Sequence, residues 1–390
     1  MPKILYITAR SDYGGGPEQM HLLIKRLSAA FKVYVACPND VPYFAIFGKY
    51  AEVLEIPCRK FSVASLIALY KAVREKDIDI IHSHGRGAGV YARLLGAMTR
   101  KPVVHTFQGV HLWHLSPLRK FLYLFVEKAF ARVTDVFINV SESERKTCEN
   151  ANFYSRKFRV VPIGVEVPPM RRPPLDTREG RVRPDRRRFT LINISRLSFE
   201  KGVDVLLKVV KALADSGADF KLLLAGDGPE RKKLEKDAKA LGIEKYVVFY
   251  GAVSDADKLR LLESAHVFMN TSRCEGMPIA VLEAMARSLP VVATDVAGNK
   301  DVVISGENGF LFDITRPEEG ARRIVELMRT PALYEQMSTG AYRTMTEKFS
   351  VETMCESTKE IYMSLLGAVK KKGALPGKAY RDKAAAVNAK

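Results

Sequence analysis

Short apolar runs recur along the chain, each bounded by polar or glycine-containing turns and each followed by a stretch in which apolar residues return every three or four positions. Runs of this length rich in Val and Ile read as buried strands, and the three-to-four spacing reads as amphipathic helices. Residues 4–7, 33–37, 78–82, 103–107 and 136–140 make a first series of strands. Residues 190–194, 220–225, 247–250, 267–270 and 291–294 make a second. Strand alternating with helix predicts an α/β fold of two doubly wound parallel-sheet domains, Rossmann-like and facing a cleft. The division expected is 1–165 for the first domain, 166–188 for a Pro/Arg-rich hinge and excursion, and 189–348 for the second. A terminal helix is expected over 349–366 and a basic, frayed tail over 370–390.

In open parallel sheets, ligands collect at the carboxyl ends of strands, and the polar residues of most chemical interest fall there. Arg196 and Lys201 flank a strand-to-helix turn and can supply positive charge to a departing diphosphate. A surface arginine with a lysine paired to Glu200 is the alternative. Gly14, Gly15 and Gly16 follow the first strand, where their backbone amides can approach a phosphate or sugar closely, or form only a turn. Their spacing is neither a P-loop nor a full G-x-G-x-x-G, which disfavours ATP and NAD chemistry. Gly226 and Asp227 occupy a similar strand end. Glu275 precedes Gly276, Met277, Pro278 and Ile279, with Pro278 suited to the first helical position and Glu283 eight residues on. At about 1.5 Å per residue the two carboxylates stand roughly 12 Å apart along the axis. They cannot hold one atom, but they can hold two ends of an extended polar ligand, with orphan helix-start amides between them for an anion.

This is an E-x7-E pattern, and together with Gly14-Gly15-Gly16-Pro17-Glu18, His82-Ser83-His84-Gly85, His105-Thr106-Phe107-Gln108-Gly109, Val161-Pro162-Ile163-Gly164-Val165-Glu166, Ser195 to Gly202 and Ala225 to Pro229 it resembles the retaining glycosyltransferases of family 4. That resemblance implies the GT-B fold and transfer of a sugar from a nucleotide donor, UDP-linked by expectation, to a saccharide or lipid-linked saccharide in envelope glycan synthesis. It implies catalytic roles for Arg196, Lys201 and Glu275. Donor binding falls to Gly15, Gly16, Gly226, Asp227, Gly276, Met277, Pro278, Ile279 and Glu283, the last on the ribose hydroxyls. It also implies that the terminal helix crosses back to the first domain. Where many relatives carry a histidine near the donor sugar this chain has Gln108, so either sugar choice differs or His105, His111 or His114 takes over. His82 and His84 are read as facing opposite sides of a strand end, with His84 the one in the cleft. A sugar-nucleotide epimerase and a noncatalytic nucleotide- or membrane-binding subunit are the alternative functions.

Composition narrows the setting. The 390 residues carry a formal charge of +18. Eight arginines against three acids (net +5) in 171–188 and seven basic residues against one acid (net +6) in 370–390 account for more than half of it. Such segments favour anionic membranes or phosphorylated acceptors, or simply solubility, and no recognition motif points to nucleic acid. Cysteines 37, 58, 148, 274 and 355 form no C-x-x-C, which fits a reducing cytosol, at the inner face of the membrane if the basic segments engage it. No signal peptide or roughly 20-residue apolar span is evident. Asp77-Ile78-Asp79 at a strand entrance and Asp255-Ala256-Asp257 at a helix start lie at the wrong ends for the cleft and read as capping or solvated carboxylates, so neither metal nor cofactor is expected. The helix opened by Ser116-Pro117 mixes Leu118, Phe121, Leu122, Leu124, Phe125 and Phe130 with Arg119, Lys120 and Lys128. It suits either burial on the first sheet or a membrane surface.

Overall fold

The apolar runs assemble into two parallel sheets in the computed structural model, which describes residues 1–110, 116–152, 157–170, 175–176, 183–184 and 188–373. His111 and His114 lie outside the described residues, as do most of the arginine-rich segment and the tail beyond 373. The first sheet contains β1 (Lys3–Thr8), β2 (Lys32–Cys37), β3 (Glu52–Glu55), β4 (Ile80–His84), β5 (Val103–Thr106), β6 (Val136–Asn139) and β7 (Phe158–Val160), in the order β3-β2-β1-β4-β5-β6-β7. A small antiparallel pair, β8 (Leu175–Asp176) and β9 (Arg183–Pro184), follows. The second sheet contains β10 (Phe189–Ile194), β11 (Phe220–Ala225), β12 (Val247–Gly251), β13 (Val267–Asn270), β14 (Val291–Thr294) and β15 (Gly309–Phe312), ordered β12-β11-β10-β13-β14-β15.

Both orders reverse direction beside their first strand: β1 pairs in parallel with β2 and β4, and β10 with β11 and β13. The expected doubly wound α/β architecture is therefore present twice. Intervening helices are α1 (Gly15–Leu27), α2 (Tyr43–Phe47), α3 (Val63–Glu75), α4 (Arg86–Thr99), α5 (Pro117–Phe130) and α6 (Glu142–Asn150), then α7 (Val203–Asp215), α8 (Arg231–Ala240), α9 (Asp255–Glu263) and α10 (Ile279–Met285). The series closes with α11 (Asn299–Val302), α12 (Pro317–Arg329), α13 (Pro331–Lys348) and α14 (Val351–Gly373). Serines set several starts: the side chains of Ser62, Ser141 and Ser254 accept the amides of Ser65, Glu144 and Asp257, each satisfying an otherwise orphaned donor.

Alternation along β10 shows how the second sheet is covered on both faces. Leu191 belongs to a core with Val203, Leu206, Leu234 and Ile324, whereas its neighbour Ile192 belongs to one with Val281, Met285 and Met345. Successive strand residues point to opposite faces, so each sheet face acquires its own helical layer. By contacts the chain forms two compact units, Met1–Thr106 with Ala129–Phe137 and Cys355–Lys390, and Phe107–Lys128 with Ile138–Met354.

Within the first unit, α14 is fastened through a buried polar chain. His82 Nδ1 shares a hydrogen bond with the Tyr362 hydroxyl, which donates to the Tyr6 hydroxyl at 2.9 Å, and His82 Nε2 meets Thr106 Oγ1 at 2.8 Å. The expectation that His82 and His84 face opposite sides is corrected here. Their rings stand 4.3 Å apart, because residues two apart in a strand share a face.

Candidate functional site

The turns that follow β10, β11 and β13 interlock, and glycine makes the closest approach possible. Gly226 donates its amide to the Gly251 carbonyl at 2.7 Å, and a Cβ there would lie 1.8 Å from the Ser195 carbonyl oxygen at φ +130°. No L side chain fits that position without displacing backbone. Gly226→Ala is expected to lower stability by about 2–3 kcal/mol; an unchanged urea midpoint would show that the turn is not packed this tightly. Beside it, Leu197 N donates to the Asp227 carbonyl at 3.0 Å. Asp227 itself accepts from the Gly228 amide at 2.7 Å and pairs with Arg231 at 3.3 Å.

The segment carrying Lys201 is clamped from β13's side. Gly202 sits at φ +60°, where a Cβ would lie 2.1 Å from the Thr271 carbonyl oxygen, so the short helical turn Phe199–Lys201 lies flat against the neighbouring loop. Arg273 fixes it there. Its guanidinium binds both carboxylate oxygens of Asp204 at 2.8 and 2.7 Å, donates to the Phe199 carbonyl at 2.7 Å and covers the Phe199 ring at 4.1 Å. The hydrogen bond from Arg273 holds Asp204 below the usual carboxylate range. Such bidentate pairs are geometrically demanding, which suits a part whose task is positioning.

Lys201 Nζ then meets Glu275 Oε1 at 2.8 Å, and Ser272 Oγ donates to the same oxygen at 2.6 Å. The Glu275 side chain is 9% exposed and that of Lys201 29%, so the carboxylate is enclosed while the ammonium keeps access to whatever lies outside. Pro278 caps α10 just outside its first residue, accepting the amides of Val281 and Leu282 on its carbonyl. Glu283, on the second turn, pairs with Lys258 of α9 at 2.5 Å. The two carboxylates thus engage separate cations. Arg196 is exposed at the end of β10. Of the residues singled out in sequence, Lys201 and Glu275 are in direct contact; Arg196, Gly226 and Asp227 share the adjoining turns.

Gln108 has φ +65° and leads into Gly109, whose amide donates to Glu144 Oε1 at 2.6 Å; Val140 donates to the other oxygen at 2.8 Å. Burial pushes the Glu144 carboxyl up to about 7, while the Val140 and Gly109 amides pull against that shift. Gly276 approaches the same loop: a Cβ added to it would lie 3.4 Å from Gly109 Cα. Glu144 and Glu275 line one cavity of about 670 Å³ together with Lys120, Leu124 and Lys128 of α5.

The first-unit candidates are placed differently. Gly15 and Gly16 open α1, with Gly14 in extended backbone before it. His84 is 4% exposed and packed beside His82 and Tyr6. His105 is fully buried, meets Ser83 Oγ at 2.9 Å and stands edge-on to Phe137. Neither ring presents itself to solvent. The aspartate pairs are occupied by local partners: Asp77 by Lys101, Asp79 by the Lys3 amide, Asp255 by Lys258 and Asp257 by Ser254.

Sequence reading missed Glu144, Lys258 and Arg273. Glu144 had a signal, the Ser141-x-x-Glu144 helix-start signature. Lys258 and Arg273 had none, because their partners lie 25 and 69 residues away.

Comparison with known proteins gives two family matches: "Glycosyltransferase Family 4" over residues 13–167 and "Glycosyl transferases group 1" over residues 177–344. The chain is 23% identical over 86% of its length, and 90% of the other's, to the UDP-Gal:alpha-D-GlcNAc-diphosphoundecaprenol alpha-1,3-galactosyltransferase of Escherichia coli. It is 25% identical to the capsular polysaccharide biosynthesis glycosyltransferase CapM of Staphylococcus aureus, over 78% of this chain and 81% of that one. Among solved structures, Anabaena Alr3699/HepE in complex with UDP and glucose superposes with a TM-score of 0.79 at 21% identity, covering 93% of this chain and all of the other.

Proposed function

We propose, for a chain that belongs to glycosyltransferase family 4 and is a glycosyltransferase of GT-B fold, that it moves a sugar from a UDP-linked donor to a saccharide or lipid-linked saccharide with retention at the anomeric carbon. The observation that carries this reading is the contact of Lys201 with the enclosed Glu275 at the carboxyl ends of β10 and β13, beside the exposed Arg196. As the bond from C1 to the diphosphate oxygen breaks, its electron pair passes to that oxygen, and Lys201 with Arg196 neutralises the growing charge. The acceptor hydroxyl attacks C1 on the face the diphosphate leaves, and its proton passes to a phosphate oxygen of the leaving group. Glu275 orients Lys201 and borders the transferred sugar; Glu283 accepts from the ribose hydroxyls, suited to this as a group that only accepts when ionised.

UDP as the leaving group is supported by the HepE complex and by the name of the E. coli relative, and that name together with CapM's supports an acceptor in envelope glycan synthesis. Charge neutralisation by side chains assigns no step to a divalent ion. The proposed setting is the inner face of the cell membrane.

The test is a screen of nucleotide sugars for slow hydrolysis and for a rise in melting temperature, run in EDTA. One UDP-sugar is expected to be hydrolysed and UDP to raise the melting temperature. Inertness towards every donor, or activity abolished by EDTA and restored by Mg²⁺, would overturn the corresponding part.

A further inference from the structure

The two faces of α5 carry different chemistry. Lys120, Leu124 and Lys128, each four residues from the next, line the cavity that holds Glu144 and Glu275. Leu118, Phe121, Leu122 and Phe125, at spacings of three and four, form a second face about a quarter of a turn away. These four are 77%, 68%, 59% and 63% exposed. Single exposed apolar residues are ordinary, but four large ones on one helix face are a contiguous patch that water covers poorly. Arg119, Lys120 and Lys128 stand exposed beside it, and the helix's one acid, Glu127, is buried.

An apolar face bordered by cations and without an exposed acid narrows the partner. A duplex nucleic acid, its bases already stacked, would engage the cations and leave the phenylalanines in water. A neutral apolar partner would do the reverse. An anionic lipid surface takes both, with the apolar side at the acyl boundary and lysines among the headgroup phosphates. The formal charge of +18 favours the same encounter. Among the described residues no helix is long and apolar enough to cross a membrane, so the contact is one of lying in the interface.

We propose that α5 is seated in the headgroup layer of an anionic bilayer, so that the cavity it walls opens at the lipid surface and takes a lipid-linked acceptor from there. This rests on the transferase reading for the identity of the acceptor, not for the membrane contact. Phe121 and Phe125 anchor the helix; Lys120 and Lys128 face the acceptor's phosphate.

Flotation of the full chain with vesicles of phosphatidylglycerol and phosphatidylcholine, and with phosphatidylcholine alone, tests it. The protein is expected to float with the anionic vesicles, and the Phe121→Ser/Phe125→Ser double variant to partition at least tenfold more weakly while keeping the UDP-induced rise in melting temperature. At about 0.5 M salt, where charge attraction is screened within a few ångströms, part of the wild-type binding should survive through the apolar face. Equal flotation of variant and wild type, which would assign binding to the basic segments elsewhere, overturns the proposal, as does failure of the wild type to float. Absence of the UDP response in the wild type would instead overturn the donor reading, whatever the vesicles show.

Discussion

Replacing Lys201 with alanine is expected to lower kcat for sugar transfer by about 10²–10³-fold, the usual cost of removing one preorganised electrostatic contact to a transition state. The size follows from placement. Lys201 is held by Glu275 at 2.8 Å on a turn that Arg273 locks through Asp204 and Phe199, so little reorganisation is needed when charge develops on the diphosphate. Its partner Arg196 is exposed and more strongly screened, and cannot replace it. The loss should appear mainly in kcat, because only the part of the interaction that strengthens as the bond breaks speeds the reaction. Steady-state kinetics on the donor found in the screen would measure it. A variant with near-normal kcat would remove Lys201 from the chemistry.

Acid is expected to destabilise the protein between pH 7 and pH 5, by at least about 1–2 kcal/mol. Burial holds His82 and His105 well below 6.5, with the Arg93 charge adding to the effect on His105, and lowers His84 to about 3 and His266 to about 4. For a depressed pKa, the unfolded chain takes up the proton first. The stability these histidines contribute is therefore complete above pH 6.5 and is lost as pH falls towards their folded values. At pH 5 His84 and His266 each cost about 2 kcal/mol, and His82 and His105 add to this in the same direction. Glu144 works in the opposite direction. Its pKa is raised from 4.5 to about 7, so its stabilisation is complete below 4.5 and is lost as pH rises through 7. That returns about 2–3 kcal/mol on acidification. The four histidines together outweigh the one glutamate, and even the smaller figure is measurable against a typical total of about 5–15 kcal/mol. Urea unfolding at pH 7 and pH 5 measures the difference; equal midpoints would mean that the four rings are not buried neutral.

The second sheet was easier to read from sequence than the first. The five strands expected after residue 189 appear within a residue of their predicted ends, because each is dominated by apolar residues, buried on both faces in all but the edge strand β12, where Val248 and Tyr250 are exposed. The omissions are edge or near-edge pieces. β3 is Glu52-Val53-Leu54-Glu55, with only two apolar residues; β7 is three residues long; β15 begins at Gly309. Short strands that rely on a neighbour's ladder leave little periodic signal. At the site, Lys201 with Glu275 was foreseeable because motif spacing puts both at strand ends. The supporting Arg273 and Lys258 were not, since a clamp between separate βα turns has no local pattern. Helix α5 shows the converse: its apolar residues were visible, but periodicity does not distinguish a face turned to a sheet from one turned to solvent.

The hydroxyl chain from Tyr362 through Tyr6 and His82 joins residues 356 and 280 positions apart, and this imposes an order on biosynthesis. At about 5–20 residues per second, a ribosome that has finished β4 needs roughly a quarter of a minute to a minute to deliver Tyr362. Until then the imidazole of His82 and the phenol of Tyr6 await their partner, and the opening sheet of the nascent polypeptide cannot close its polar interior. Its maturation is tied to the arrival of α14, made after the strands of both sheets, so a product terminated before Tyr362 would carry its defect at the opposite end from the stop.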